Sequence, residues 1–215
     1  MQPKLKIPAL AIDNHPDMVV NEAIALNPAR YALRQVWDQW AKLRDAEVVA
    51  TDSKRLARAA TAVVGHTWKV ADEALKNLDS FRKDLEAKVS NGVAPKTPDA
   101  AAAEIRAHFK NQRHPSTALS SLVKQNDRRT LAAILTAPAY LSGLNDDQHK
   151  TLLGLARETW FPEEVRTLKD IDHAGSRVMI VADTVKKTLT PLIAAWSGEK
   201  EEKAFAAFNT EGGAA

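Results

Sequence analysis

The side chains that could do acid–base or metal chemistry are scattered along this chain. Its six histidines are His15, His66, His108, His114, His149 and His173. A helix presents paired imidazoles to one metal ion when they stand three or four residues apart. No two histidines are so spaced, and no His-Glu-x-x-His motif occurs. The tightest group is Asp170, Asp172 and His173, in which Asp170 and His173 share one side of a helix. That group could open a metal-dependent helical active site, but a catalytic metal needs further convergent donors. A solvated face with a local ion pair accounts for the same residues. Nucleophile motifs are missing. There is no Gly-x-Ser-x-Gly elbow, and Ser116, Ser120 and Ser121 suit a cap and a helix surface. With no cysteine, thiol nucleophiles, thiolate metal sites and disulfides are excluded, which fits a reducing compartment. No glycine-rich phosphate loop or Gly-Lys-Thr run precedes a helix, which argues against ATPase and dinucleotide chemistry. Glu163 and Glu164 follow Pro162 in a first helical turn, where negative charge complements the helix dipole. Glu104, Glu158 and Asp183 have no special setting. No catalytic residue, metal or cofactor is expected.

Nucleic-acid contact has two footholds, Lys54, Arg55 and Arg58, and the pair Arg128 and Arg129. The net charge is only +3, since 30 basic residues nearly balance 27 acidic ones. A dedicated binder shows a larger or more segregated excess. Short helices over 127–159 superficially resemble a helix-turn-helix. The second of them begins with Asp146 and Asp147, carboxylates that would repel phosphates where a recognition helix meets DNA. The connection from Pro138 to Asn145 is also longer than the usual tight turn. Loose contact of a basic surface with nucleic acid is more plausible than sequence-specific recognition.

The elements that must carry these side chains are helical. Ala, Leu, Lys, Arg, Glu and Asp abound while glycine numbers 8, a composition that favours helix over sheet. The clearest pattern lies in residues 161–196. Leu168, Ile171, Gly175, Val178, Ala182, Val185, Leu189, Leu192 and Trp196 continue a stripe begun by Phe161, spaced mostly three and four apart. That is close to a coiled-coil seam. Gly175 and Ala182 would admit a close neighbouring helix. Met179, Ile180 and Val181 make the middle apolar all round, which implies burial by more than one neighbour. Pro191 should kink the last turns.

The expected architecture is all-α. An extended arm, 1–26, is interrupted by Pro3, Pro8 and Pro16 yet is too apolar for a free tail, with Ile7 and Leu10 among its residues. It lies either on its own domain or on a neighbouring subunit. A long amphipathic helical region follows over 27–91, capped by Asn27, kinked or broken near 51–53, and stopped at Asn91-Gly92. Residues 92–98 read as a linker. A helical bundle over 99–198 joins short helices, among them one capped by Thr97, one begun by Asp127 and one with Asn145 and Gln148 at capping-box spacing. The heptad helix packs back on them, and Gly154 sits in a helix for close packing. Residues 199–215 form a short charged helix and a tail. Five tryptophans are present. Trp37, Trp40, Trp68 and Trp160 suit core packing, and Trp196 suits an interface anchor. No run approaches the ~18 apolar residues of a membrane span, and 1–26 lack a signal-peptide core, so a soluble, intracellularly made protein is expected.

One stretch carries a resemblance. Leu131–Glu164, with Ala137-Pro138-Ala139-Tyr140-Leu141-Ser142-Gly143-Leu144 and Phe161-Pro162-Glu163-Glu164, resembles segments of uncharacterised helical proteins from bacteriophage and prophage structural gene clusters. The resemblance implies a structural part in a phage-type particle, found in the virion or the host cytoplasm, with no active-site residue to transfer. The expected function is therefore a non-enzymatic structural or interaction protein. It would assemble as a homo-oligomer and with other particle proteins, with no membrane partner. A nucleic-acid-associated helical protein is the alternative.

Overall fold

Apolar residues three and four apart recur along every long helix, and their burial settles which faces meet. The structure, a computed structural model, describes residues 6–10, 23–49, 52–95 and 101–198. Among them are seven α-helices and no strand. They are α1 (Asn27–Val49), α2 (Ser53–Val93), α3 (Ala102–Lys110), α4 (Pro115–Lys124), α5 (Arg128–Leu135), α6 (Asp146–Trp160) and α7 (Pro162–Ser197). The chain is all-α. The rest of the arm, Thr97 and the expected helix after 198 lie outside the described residues.

Two compact units are present, residues 1–79 with 170–215, and residues 80–169. Their boundaries fall inside α2 and α7. This differs from the expected division at a 92–98 linker between a 27–91 region and a 99–198 bundle. Helix α2 serves both cores, with residues up to Leu78 in the first and Val89 and Val93 in the second. Helix α2 continues through Asn91-Gly92 to Val93, and a Cβ on Gly92 would lie 2.2 Å from the Phe161 ring. Gly92 thus stands where an aromatic ring meets the helix, one residue before the helix ends, close to the expected stop.

In the first unit, Leu33, Val36 and Trp40 of α1 share a core with Ala60, Val63, Ala71 and Leu78 of α2. Ile171, Val178, Val185 and Leu189 of α7 complete it. Phe161, where the heptad stripe begins, thus packs against the core of the short helices as expected, whereas from Ile171 onward the stripe packs with α1 and α2. The described stretch of the arm joins the same core. Ile7 and Leu10 are buried there, the Ile7 N–H donates to Glu47 Oε2 at 2.9 Å, and Trp40 Nε1 donates to the Pro8 carbonyl at 3.0 Å. Residues 6–10 consequently lie on their own domain, and docking of this stretch on a neighbour is set aside. A 3-10 turn, Ile24–Leu26, leads into α1, and Asn27 already has helical angles (φ −52°, ψ −38°), so it does not cap. At the start of α2, Asp52 Oδ1 accepts from the amides of Lys54 (2.9 Å) and Arg55 (3.4 Å), satisfying donors that a first turn leaves orphaned.

The second unit gathers Val89 and Val93 of α2 with Leu119, Val123, Leu131, Ile134, Leu152 and Ala156. Helix α3 packs on α5, and α4 packs on α5 and α6. Sequence-local signals set the helix starts. Asp127 Oδ1 accepts from Thr130 N at 3.1 Å, and Asn145 and Gln148 form a reciprocal capping box, with bonds of 3.0 and 2.8 Å. Between α5 and α6 the chain makes a 3-10 turn, Ala139–Ser142, ending in Gly143 at φ +72°. That glycine is required twice over, by its left-handed backbone and because a Cβ would come 3.1 Å from Lys110 Cα.

Candidate functional site

The residues expected to form an interface are mostly inside the chain's own core. Ile171, Val178, Ala182, Val185, Leu189 and Leu192 are buried. Leu168 and Gly175 are half-buried, and Trp196 packs against the same core as α1 and α2. Gly175 faces Leu75 and Leu78 of α2 at 3.5 and 3.9 Å from a notional Cβ, ordinary contact distances. The seam's partner is therefore the same chain. Burying such side chains stabilises a fold by about 1.5–3 kcal/mol each, so this face is not available to a second copy without unfolding the first.

The expectation that Met179 and Ile180 are also buried is not met. Val181 is buried, but Met179 is 40% exposed and Ile180 50%. These two stand on the side of α7 away from the residues that enter the core. A neighbour on each side was inferred from hydrophobicity, and among the described residues only one side has it. This pair is the apolar surface that the sequence pattern marked but assigned to the wrong environment.

The five basic residues offered for nucleic-acid contact are all exposed, and they differ in their surroundings. Lys54, Arg55 and Arg58 lie on the first turns of α2. Arg128 is engaged within its own unit. Its Nε donates to Asn126 Oδ1 at 2.9 Å, and its guanidinium lies over the rings of Trp160 (5.1 Å) and Phe161 (5.6 Å). Arg129 also has an interaction partner. Arg128 thus has a structural role at the α6–α7 junction, where Trp160 Nε1 in turn donates to the Val123 carbonyl at 3.1 Å.

Asp172 and His173 are exposed and Asp170 is half-buried. Both aspartates have partners. No group of three or more metal-ligating side chains is brought together among the described residues. The other electrostatic features are ion pairs. Glu164 accepts from Lys88 Nζ at 2.8 Å, and this bond, with help from its own backbone N–H at the start of α7, holds its carboxyl below the usual value. Lys76 is held above its ordinary value by its hydrogen bond to Asp72, 2.6 Å away.

Trp40 is buried, whereas Trp37, Trp68, Trp160 and Trp196 are half-buried. Lys186 lies 5.7 Å from the Trp68 ring centroid. Gly154 has nothing within 4 Å of a notional Cβ, so the close packing expected there is absent. No helix among the described residues is long and apolar enough to cross a membrane. Comparison with family models, curated proteins and solved structures gives no match.

Proposed function

We propose that this chain is a non-enzymatic interaction protein that self-associates through the outer side of α7, as a component or accessory of a phage-type particle. The observation that supports association is the exposed pair Met179 and Ile180 on a helix whose other side is already satisfied. Two copies related by a two-fold axis would place this patch against itself, the commonest way for identical chains to pair. The particle setting is supported by the resemblance of Leu131–Glu164 and by nothing in the packing. The internally docked residues 6–10 and the internally spent seam remove two other routes to assembly, so the proposal stands on the α7 pair. Sedimentation velocity of the full chain over a range of concentrations tests it. Reversible dimers or larger species are expected, and Ile180→Glu should return them to monomer. A monomer throughout the range ends the proposal.

A second reading, association with nucleic acid, is favoured by one observation: Lys54, Arg55 and Arg58 are exposed together on consecutive turns of α2. Binding to a labelled duplex should then weaken as salt releases its counterions. Absence of binding at low salt removes this reading.

A further inference from the structure

Three helices of the second unit, α3, α4 and α5, leave between them an open groove of about 390 Å³. Its volume lies at the low end of ligand-binding clefts, roughly 300–1,000 Å³, but it is a trough open along one side. Ile105, Phe109 and Leu122 line it. Phe109 is buried, and Ile105 and Leu122 are half-buried, so they form an apolar floor. Two carboxylates, Glu104 and Asp127, come from different helices and line the same groove. Glu104 is exposed. Asp127 spends Oδ1 on the Thr130 amide, 3.1 Å away, as the cap of α5, which leaves its second oxygen. His108 lies one turn beyond Glu104 and stands 3.0 Å from the side-chain amide of Gln112. No lysine or arginine lines the groove among the described residues.

We propose that this groove receives a lysine- or arginine-bearing segment of a partner protein. Two features select that occupant together. Lysine and arginine carry a long aliphatic stem that prefers apolar surface and a charged head that prefers water or a carboxylate. The floor matches the stem, and Glu104 and Asp127 match the head. An anionic or purely apolar occupant would satisfy only one of them. The groove is too open to enclose a small molecule on its own, so the cation arrives attached to a chain that covers the remaining side. This site does not require self-association and lies in the other unit from Met179 and Ile180.

The test uses the isotopically labelled full chain and a short acetylated peptide, Ala-Leu-Lys-Leu-Arg-Ala, followed by nuclear magnetic resonance. Saturable shifts are expected for Ile105, His108, Phe109 and Thr130, and a counterpart peptide with glutamates in place of Lys and Arg should produce none there. Glu104→Gln removes an exposed charge, and Asp127→Asn removes a charge while keeping a capping oxygen. Each should weaken the peptide's binding by about two- to fivefold. Ile105→Ser should weaken it through loss of the floor. Equal shifts from both peptides overturn the proposal, as do shifts centred on other acidic surface such as Asp146 and Asp147. Unchanged affinity in both charge variants overturns it too.

Discussion

Gly92→Ala should destabilise the protein even though alanine is the better helix former. In an exposed helix interior the exchange gains about 0.8–1.0 kcal/mol. At position 92 the new methyl carbon would lie 2.2 Å from Phe161 Cζ and 3.0 Å from both Cε atoms. Carbon atoms rest at about 3.5–4.0 Å, so the ring must retreat by more than an ångström. Its retreat is opposed where the half-buried ring packs against the second core. Overpacking of this kind costs about 1–3 kcal/mol. Set against the helix gain, the net expectation is a loss approaching about 2 kcal/mol at the unyielding end of that range. Urea unfolding of the full chain, followed by circular dichroism, would show it as a lower midpoint. Phe161→Leu removes the offending Cζ, so the pair should couple. Gly92→Ala should cost about 1 kcal/mol less, or become stabilising, when made together with Phe161→Leu. A single variant Gly92→Ala that gains the full helix-propensity increment, with no coupling to Phe161→Leu, would refute the slot between Gly92 and Phe161.

Other perturbations have expected outcomes of either sign. Gly154 and Gly65 face open space, so Gly154→Ala and Gly65→Ala should each raise stability by about 0.8–1.0 kcal/mol, and a lower melting temperature in either would contradict the open surroundings. Thr67 is fully buried in α2 and its hydroxyl has no hydrogen-bond partner among the described residues; Thr67→Val should stabilise by about 1 kcal/mol, measured by chemical unfolding, and a loss instead would mean that a water satisfies the hydroxyl. The carboxyl of Glu164 titrates below its ordinary value because of Lys88, so its contribution is full above the unfolded value and fades as pH falls through the lower folded one. Lys88→Met should therefore cost at most about 1 kcal/mol near neutral pH, and the difference from wild type should close in acid; a difference that persists there would assign it to packing. Gly143→Ala should destabilise, because the substitution meets both the left-handed backbone and the Lys110 main chain, and an unchanged unfolding midpoint would show that the turn relaxes.

Local signals were readable from the sequence because they depend on neighbours a few residues away. The reciprocal bonds of Asn145 and Gln148 and the cap by Asp127 need only a three-residue offset. The α7 stripe was readable as a helix face for the same reason. What it faces was not, since periodicity states that a side is buried and not which chain buries it. Met179 and Ile180 show the converse, because apolar character alone cannot reveal that no neighbour arrives among the described residues. Asn91-Gly92 was ambiguous in kind. Glycine near a helix end also admits a ring against the backbone, and only the position of Phe161, far along the chain, reveals that second role. The groove of Glu104, Leu122 and Asp127 has no internal spacing to detect, because three separate helices bring it together.

The two proposed surfaces can be told apart by one physical variable. An apolar patch at Met179 and Ile180 would associate because water is released from hydrocarbon, and added salt does not weaken that drive. A cation seated between Glu104 and Asp127 is held at an exposed surface, where mobile ions screen it within a Debye length of about 8–10 Å at ordinary ionic strength. Self-association that survives high salt but is lost in Ile180→Glu would therefore belong to α7. Binding of a basic peptide that vanishes at high salt but is indifferent to Ile180→Glu would belong to the groove. Since the seam and the Ile7–Leu10 stretch are already consumed in folding, loss of association on truncating the side chains of either would report a damaged core, and the salt series, not truncation, is the measurement that separates assembly from stability.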